Sequence, residues 1–326
     1  MTIQMLTGDN QQTLKTLADN SIDAIVTDPP YGIDFLGKAW DANTGALETY
    51  KQCLRVLKPG GYILAFSAAR TYHHLAVTIE QAGFEIRDQL MWLYASGFPK
   101  AQDIGKAIER REGKRKPQEK IDIRNEWAGW KTALKPSHEP ICMARKPFKG
   151  STIDNVLTHG VGALNIDATR IPNPEGDRFP SNVIGEVAGY QKFFYCPKVS
   201  RKERHTGFEM PDAMFGQHKG AYDENGQRYA VELDKRTGNI GNNHPTVKPV
   251  ELMKYLIKLV TPPNSTVLDP FCGSGSTGMA ATELGHHFIG CELDPNYAEI
   301  ARRRIEGHEQ KKPVATKLFN QIFEVD

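Results

Sequence analysis

Two stretches of the chain hold residue types that can do chemistry. The first is Asp28-Pro29-Pro30-Tyr31, directly after the apolar run Ala24-Ile25-Val26. A β-branched run ending in Asp-Pro-Pro predicts a buried strand stopped by two residues that cannot continue a ladder. The turn that follows presents the Asp28 carboxylate, the Pro29 carbonyl and the Tyr31 ring at the strand's carboxyl end. Open α/β sheets bind their ligands there. Two acceptors can hold the amino group of a planar heterocycle while the ring stacks on its face. Four residues are a short signal, and a proline-rich turn with a capping Asp reads the same way.

The second stretch is Gly273-Ser274-Gly275-Ser276-Thr277-Gly278, spaced G-x-G-x-x-G between a predicted strand and a predicted helix. Glu292 ends the next strand, 19 residues after Gly273. Such glycines let the backbone approach a cofactor closely, and such an acid can accept from both ribose hydroxyls. On spacing alone a dinucleotide fits as well as any other adenosine cofactor.

These residues need elements to position them, and alternating strands and helices supply them. Residues 3–6 form a strand candidate ending in Thr7-Gly8-Asp9-Asn10, and a helix with Leu14 and Leu17 inward leads to the strand before Asp28. Residues 33–46, with Phe35, Trp40 and Asp41, have no clear period and read as a lid or as a packed connection. A helix with Leu47, Tyr50, Leu54 and Leu57 on one face is closed by Pro59-Gly60-Gly61, and residues 62–66 are a buried strand. A helix around Leu75 and Ile79 stops at Gly83, and residues 84–94 read as one or two strands. After His244-Pro245-Thr246-Val247-Lys248-Pro249 the pattern resumes. It gives a helix over 250–260, a strand over 266–269, a helix over 279–284, a strand over 287–292 and a helix capped by Asp294. This alternation predicts a mostly parallel sheet with helices on both faces.

Residues 98–243 differ in character. Ile104, Ala107 and Ile108 suggest one amphipathic helix, followed by the charged run 110–116, which includes Lys114, Arg115 and Lys116. Trp127, Trp130, Phe193, Phe194 and Tyr195 interleave with Lys131, Lys135, Lys192, Lys198, Arg201, Lys202 and Arg204. Cations among aromatics suit a surface that grips phosphates and supports bases, and also suit a small core with a solvated basic face. The net charge of +2 hides an asymmetry: residues 100–243 carry 25 Lys and Arg against 19 Asp and Glu, a balance of +6, and the rest is −4. That is the footprint expected for a polyanion partner.

Composition narrows the class. A length of 326 residues allows a sizeable core in one large or two smaller domains. No apolar run approaches the ~20 residues needed to cross a bilayer. The amino terminus predicts no signal peptide. Cys53, Cys142, Cys196, Cys272 and Cys291 form no Cys-x-x-Cys pair, which argues against a zinc site and a disulfide framework and predicts a reducing cytoplasm.

Taken together, Asp28-Pro29-Pro30-Tyr31 and Asp269-Pro270-Phe271-x-Gly273-x-Gly275 resemble the S-adenosylmethionine-dependent amino-methyltransferases of DNA, which modify adenine N6 or cytosine N4. The order resembles their β class: catalytic motif first, target-recognition insert next, cofactor glycines last. His244-Pro245-Thr246-x-Lys248-Pro249 is similar to the family element that receives the cofactor's methionine end. Lys135-Pro136-Ser137-His138-Glu139-Pro140 and Arg178-Phe179-Pro180-Ser181-Asn182 resemble insert segments of bacteriophage-type relatives, more weakly.

The resemblance implies a Rossmann-like α/β fold, a seven-stranded mixed sheet flanked by helices. Residues 1–97 and 244–326 would form one catalytic domain in circularly permuted order, interrupted by a target-recognition insert at 98–243. Phe271, Gly273 and Gly275, with Pro270, Ser274 and Thr277 in the same loop, would line S-adenosylmethionine. Glu292 would hold its ribose, Asp9 its adenine amino group, and Asp269, Thr246 and Lys248 its methionine end. Asp28, Pro29, Pro30 and Tyr31 would face a base flipped out of double-stranded DNA, adenine being favoured by Asp at the first motif position. Lys114, Arg115, Lys116, Lys198, Arg201, Lys202 and Arg204 are the candidate DNA contacts. The implied setting is a bacterial or phage-encoded enzyme, a homodimer or monomer, with a cognate restriction endonuclease or alone. Competing readings are a cytosine N4 enzyme, an RNA or protein-amide methyltransferase, and a non-catalytic DNA-binding module. A dehydrogenase would leave Asp28-Pro29-Pro30-Tyr31 unexplained.

Overall fold

A computed structural model describes residues 1–33, 44–94, 101–112, 126–172, 176–185, 198–208, 221–222, 228–229 and 241–309. Lys114, Arg115, Lys116, most of the 33–46 loop and residues 192–195 lie outside these.

The strands in chain order are β1 (Ile3–Thr7), β2 (Ile22–Thr27), β3 (Leu57–Phe66), β4 (Glu85–Leu93), β5 (His138–Arg145), β6 (Val183–Gly185), β7 (Ala221–Tyr222), β8 (Arg228–Tyr229), β9 (Thr266–Asp269) and β10 (His287–Glu292). The helices are α1 (Asn10–Thr13), α2 (Leu47–Val56), α3 (Tyr72–Gln81), α4 (Ile104–Glu112), α5 (Thr152–His159), α6 (Arg201–Arg204), α7 (Val250–Val260), α8 (Ser276–Glu283) and α9 (Pro295–Glu309). One mixed sheet runs β1-β10-β9-β2-β3-β5-β4-β6, and β7 pairs with β8 apart from it. β5 is antiparallel to both of its neighbours, and the other pairings in the large sheet are parallel.

The central strands are buried on both faces, so their apolar runs are continuous rather than alternating. All six residues of β2 are buried. Ala24 and Val26 pack with Leu64, Phe66 and Trp92 under α7, α8 and α9, while Ile25 and Ile63 pack on the opposite face with Tyr50, Cys53, Leu75 and Ile79 of α2 and α3. Helix α7 turns Leu252, Met253, Leu256 and Ile257 into the first of these cores. Asp23, a polar residue of β2, accepts from Thr266 N–H at 2.7 Å and pairs with Lys58 at 2.5 Å, tying the starts of three adjacent strands together.

Two expectations change. The sheet has eight strands rather than seven, because β5 and β6, from the stretch read as the insert, join it. Residues 140–144 are all buried there, so an apolar strand inside the insert stretch finds its burial in the catalytic sheet. Second, α2 ends at Val56 and Pro59-Gly60-Gly61 lies within β3, not at a helix stop. The register jumps from Ile22↔Leu57 to Ala24↔Tyr62, so the strand bulges there. Gly60 adopts φ +81°, and a Cβ on Gly61 would lie 2.9 Å from Asp23 O.

Candidate active site

The parallel strands β1, β10, β9 and β2 bring four sequence-distant turns to one edge of the sheet. From β2 the chain moves to β3 on one side, and from β9 to β10 on the other. The crevice between β2 and β9 is therefore the topological switch point, where doubly wound sheets bind ligands. Asp28 leaves β2 there, Asp269 ends β9, Glu292 ends β10, and Asp9 follows β1.

Asp269 is 2% exposed and its carboxylate is a brace between the two motifs. Thr27 Oγ1 donates to its Oδ1 at 2.7 Å, Thr277 Oγ1 to its Oδ2 at 2.6 Å and Phe271 N–H to Oδ1 at 3.1 Å. Burial raises its pKa to about 6, against the lowering effect of these donors. All three donors belong to the protein, so this carboxylate fixes the turns after β2 and β9 relative to each other. Asn10 Nδ2 steadies the same loop by donating to Pro270 O at 3.0 Å.

The glycine turn is bare backbone closely packed by its neighbours. Gly273 (φ +53°) and Gly275 (φ +80°) adopt conformations that favour glycine, and a Cβ on Gly273 would come within 3.0 Å of the His244 ring. Gly273 N–H donates to Glu292 Oε2 at 2.8 Å and Asp294 N–H to Oε1 at 3.0 Å. Burial, outweighing these bonds, raises the Glu292 pKa. Asp9 is exposed at the end of β1 and caps α1 through Gln11 N–H at 2.9 Å. Phe271 is half-buried, its centroid 6.3 Å from that of Tyr50. A turn without side chains at Gly273 and Gly275, an acid on the adjoining strand and an aromatic ring beside them fit an adenosine cofactor.

Two residues to which the sequence assigned no individual role hold this turn from behind. Arg304 of α9 is fully buried and donates to Ser274 O at 2.5 Å, Ser274 Oγ at 3.1 Å and Glu203 O at 3.3 Å. His244 packs edge-on against Tyr297, centroids 4.5 Å apart, with Nδ1 2.5 Å from Thr246 O. Burial lowers its pKa to about 4, so it is neutral with the proton on Nδ1.

At the end of β2, Asp28 is one of four side chains that meet. Lys248 Nζ lies 2.5 Å from Asp28 Oδ2, 3.0 Å from Tyr31 Oη and 3.4 Å from Glu139 Oε2. Tyr31 Oη lies 2.8 Å from Asp28 Oδ1 and 3.1 Å from Glu139 Oε2. The ammonium also faces the rings of Phe66 and Tyr31, at 4.9 and 5.4 Å from their centroids. Burial depresses the Lys248 pKa, but the two carboxylates outweigh it and the net direction is up. Burial, then Asp28 and Glu139, hold the Tyr31 phenol well above its ordinary range, so it stays protonated. Lys248, expected from the resemblance by the methionine end, reaches the Asp28 carboxylate. The place of Glu139 in the site was missed because only the topology reveals it: β5 runs antiparallel, so its first residues arrive at the edge where β3 ends, Phe66 opposite Ile141.

The candidate DNA contacts divide. Lys198, Arg201 and Lys202 are exposed, and Lys198 Nζ lies 3.9 Å from the Tyr94 ring centroid. Arg204 is only half-exposed and donates to His244 O at 2.7 Å, so it also supports the turn before Lys248. Trp127 and Trp130 are exposed and edge-to-face, centroids 5.3 Å apart.

Comparison with known proteins agrees with this geometry. A family model described as DNA methylase, covering N6 and N4 enzymes, matches residues 22–303. The chain is 30% identical to the Type II methyltransferase M.HindIII of Haemophilus influenzae, covering 91% of this chain and 93% of that protein. It is 25% identical to the DNA adenine methyltransferase YhdJ of Escherichia coli over 92% of this chain and 81% of YhdJ. Among solved structures, the cytosine-N4-specific PvuII DNA methyltransferase matches 99% of this chain and 93% of its own with a TM-score of 0.55 at 16% identity, a likeness of fold.

Proposed function

This chain belongs to the DNA methylase family of amino-directed enzymes, and on that premise we propose that it methylates the N6 amino group of an adenine flipped out of duplex DNA. It is a DNA methyltransferase of the N6-adenine/N4-cytosine type, and its cofactor is S-adenosylmethionine. The observation that carries the adenine-directed reading is the Asp28 carboxylate, fixed at the switch point by Lys248 and Tyr31. Asp at the first motif position leans toward adenine, and YhdJ, a relative along most of the chain, is named as an adenine enzyme.

A base inside a duplex cannot present its amino group to a pocket, so the target must be extruded, at a cost of a few kcal/mol. Asp28 and the Pro29 carbonyl accept the two amino hydrogens, and the Tyr31 ring stacks on the base. This aims the nitrogen lone pair across the β2–β9 crevice toward the glycine turn. S-adenosylmethionine supplies a methyl group on a positively charged sulfur that leaves readily as a neutral thioether. The protein's task is therefore positioning and electrostatics. Phe271, Gly273, Gly275, Glu292 and Asp9 would hold the cofactor and Thr246 would receive its methionine end, while Asp269 and Thr277 shape the turn. Lys198, Arg201 and Lys202, with Trp127 and Trp130, offer phosphates and bases a basic, aromatic face.

The Type II relative supports a cognate endonuclease that reads the same site. Among the described residues no helix is long and apolar enough to cross a membrane, and the enzyme would act in the cytoplasm, where its DNA is.

Asp28→Ala tests the reading. It is expected to lower single-turnover methyl transfer by about 10²–10³-fold, the scale for losing a central electrostatic group, while calorimetric binding of S-adenosylmethionine persists. Loss of cofactor binding with global unfolding, or transfer at the wild-type rate, contradicts it.

A further inference from the structure

The mechanism above leaves Glu139 without a task, although it reaches the centre of the site. One hydroxyl, Tyr31 Oη, spans two carboxylates: Asp28 Oδ1 at 2.8 Å and Glu139 Oε2 at 3.1 Å. Lys248 touches both acids. Two carboxylates and one ammonium leave the cluster one negative charge, which one incoming proton would neutralise. An amino nitrogen of a nucleobase that gains a methyl group must shed a proton, and this cluster faces it.

We propose that Asp28, Tyr31 and Glu139 form a relay that carries that proton out of the site, with Glu139 as its terminal acceptor. The proposal rests on the amino-methyltransferase reading. The N–H bond of the base breaks, its electron pair stays on nitrogen, and the proton bonds to Asp28 Oδ1. Asp28 passes it to Tyr31 Oη as the tyrosine's own proton passes to Glu139 Oε2. Tyr31 ends as it began, and Glu139 hands the proton to water. Its side chain is 17% exposed, so water reaches it. The bridging phenol remains a neutral donor and acceptor because its acidity is suppressed by burial and by both carboxylates.

Other groups bear on the titration. Glu139 faces Lys248, Asp28, Tyr31 and Tyr94, and Lys198 lies beyond the Tyr94 ring. Asp28 also feels Asp269 and His244. None of these other groups bridges the two acids through one hydroxyl, and that geometry distinguishes a relay from a simple charge cluster.

The test is single-turnover methylation of amplified, methyl-free DNA at saturating S-adenosylmethionine, from mildly acidic to mildly alkaline pH. The expected result is that Glu139→Gln and Tyr31→Phe each slow transfer roughly 100-fold, at the low end of the range for acid–base groups. The double variant should be no slower than the worse single, since both break one chain. The acid limb of the wild-type pH profile should shift in Glu139→Gln, and added formate should restore Glu139→Ala. Calorimetric cofactor binding confirms that each variant is folded. A wild-type rate and profile in Glu139→Gln overturns the relay. So does a loss that formate leaves unrepaired with an unshifted profile, since Glu139 would then only hold Lys248. Wild-type enzyme that methylates no DNA overturns the underlying reading, an outcome seen before any variant is made.

Discussion

Asp269 and His244 stand beside the glycine loop and titrate in opposite senses. The folded pKa of Asp269 is raised to about 6, so the folded state holds a proton that the unfolded chain has lost; that contribution is present at low pH and fades as pH rises from 3.8 to about 6. His244 is lowered to about 4, so the unfolded chain takes up a proton first and stability falls as pH drops from 6.5 toward 4. Each shift spans about two units, on the order of 3 kcal/mol at full effect, and in the wild type the two largely cancel. The expected outcome is that Asp269→Asn loses thermal stability more steeply than wild type between neutral and mildly acidic pH. His244→Asn should instead gain stability over the same interval. Melting curves at both pH values check this, and parallel slopes in all three proteins contradict it. At this level Asp28, Tyr31 and the glycines were legible as candidates because their chemistry is local, and the structure brings Asp28 and Tyr31 into contact. That Lys248 would reach Asp28 was not legible, because proximity in a motif does not say which way a long side chain reaches.

Helix α9 shows how an element far along the chain shapes the site. It supplies Arg304, whose guanidinium is buried with Nε unpartnered and whose other nitrogens clamp Ser274 and the Glu203 carbonyl. Glu203 in turn accepts from Val250 N–H at 2.7 Å, and Arg204 holds His244. The short helix α6 thus links α7, α9 and the turn before Lys248. Arg304→Met should weaken S-adenosylmethionine binding roughly tenfold, about 1.4 kcal/mol, the scale of one charged hydrogen bond. Unchanged affinity in a folded variant would remove the clamp from the account. Gly275→Ala should destabilise by about 1–3 kcal/mol, because φ is +80° and the added Cβ would meet Ala301 Cα and O at 3.0 and 3.1 Å. Chemical denaturation measures it. The strands and helices around the glycine motif followed from apolar periodicity. The bulge at Pro59-Gly60-Gly61 did not, because a helix stop and a strand bulge use the same residues.

Across the whole molecule, the wide separation of the two motifs in sequence becomes intelligible from the strand order of the open sheet. β2 (22–27) and β9 (266–269) come from opposite ends of the chain yet lie side by side, so the two turns proposed to hold the base and the cofactor meet at one switch point. The middle stretch, positive by six charges, was expected to stand apart as an insert, and its basic balance was legible. That β5 would run back through the sheet and deliver Glu139 was not, because strand direction is a property of the assembled fold. Exposed Arg201 and Lys202 lie in the same stretch. Replacing both by Ala should weaken DNA binding at all sequences and reduce the salt slope by about 0.9 for each phosphate that is no longer neutralised. A salt titration with an unchanged slope would place the DNA on another face.

The most direct measurement is the identity of the product. DNA free of methylation is incubated with the protein and labelled S-adenosylmethionine, digested to nucleosides and analysed by mass spectrometry, with Asp28→Ala alongside. The account predicts N6-methyladenine from the wild type and none from the variant. N4-methylcytosine would keep the fold and the amino chemistry but contradict adenine as the target. No methylated nucleoside from protein that still binds the cofactor would contradict the account at its centre.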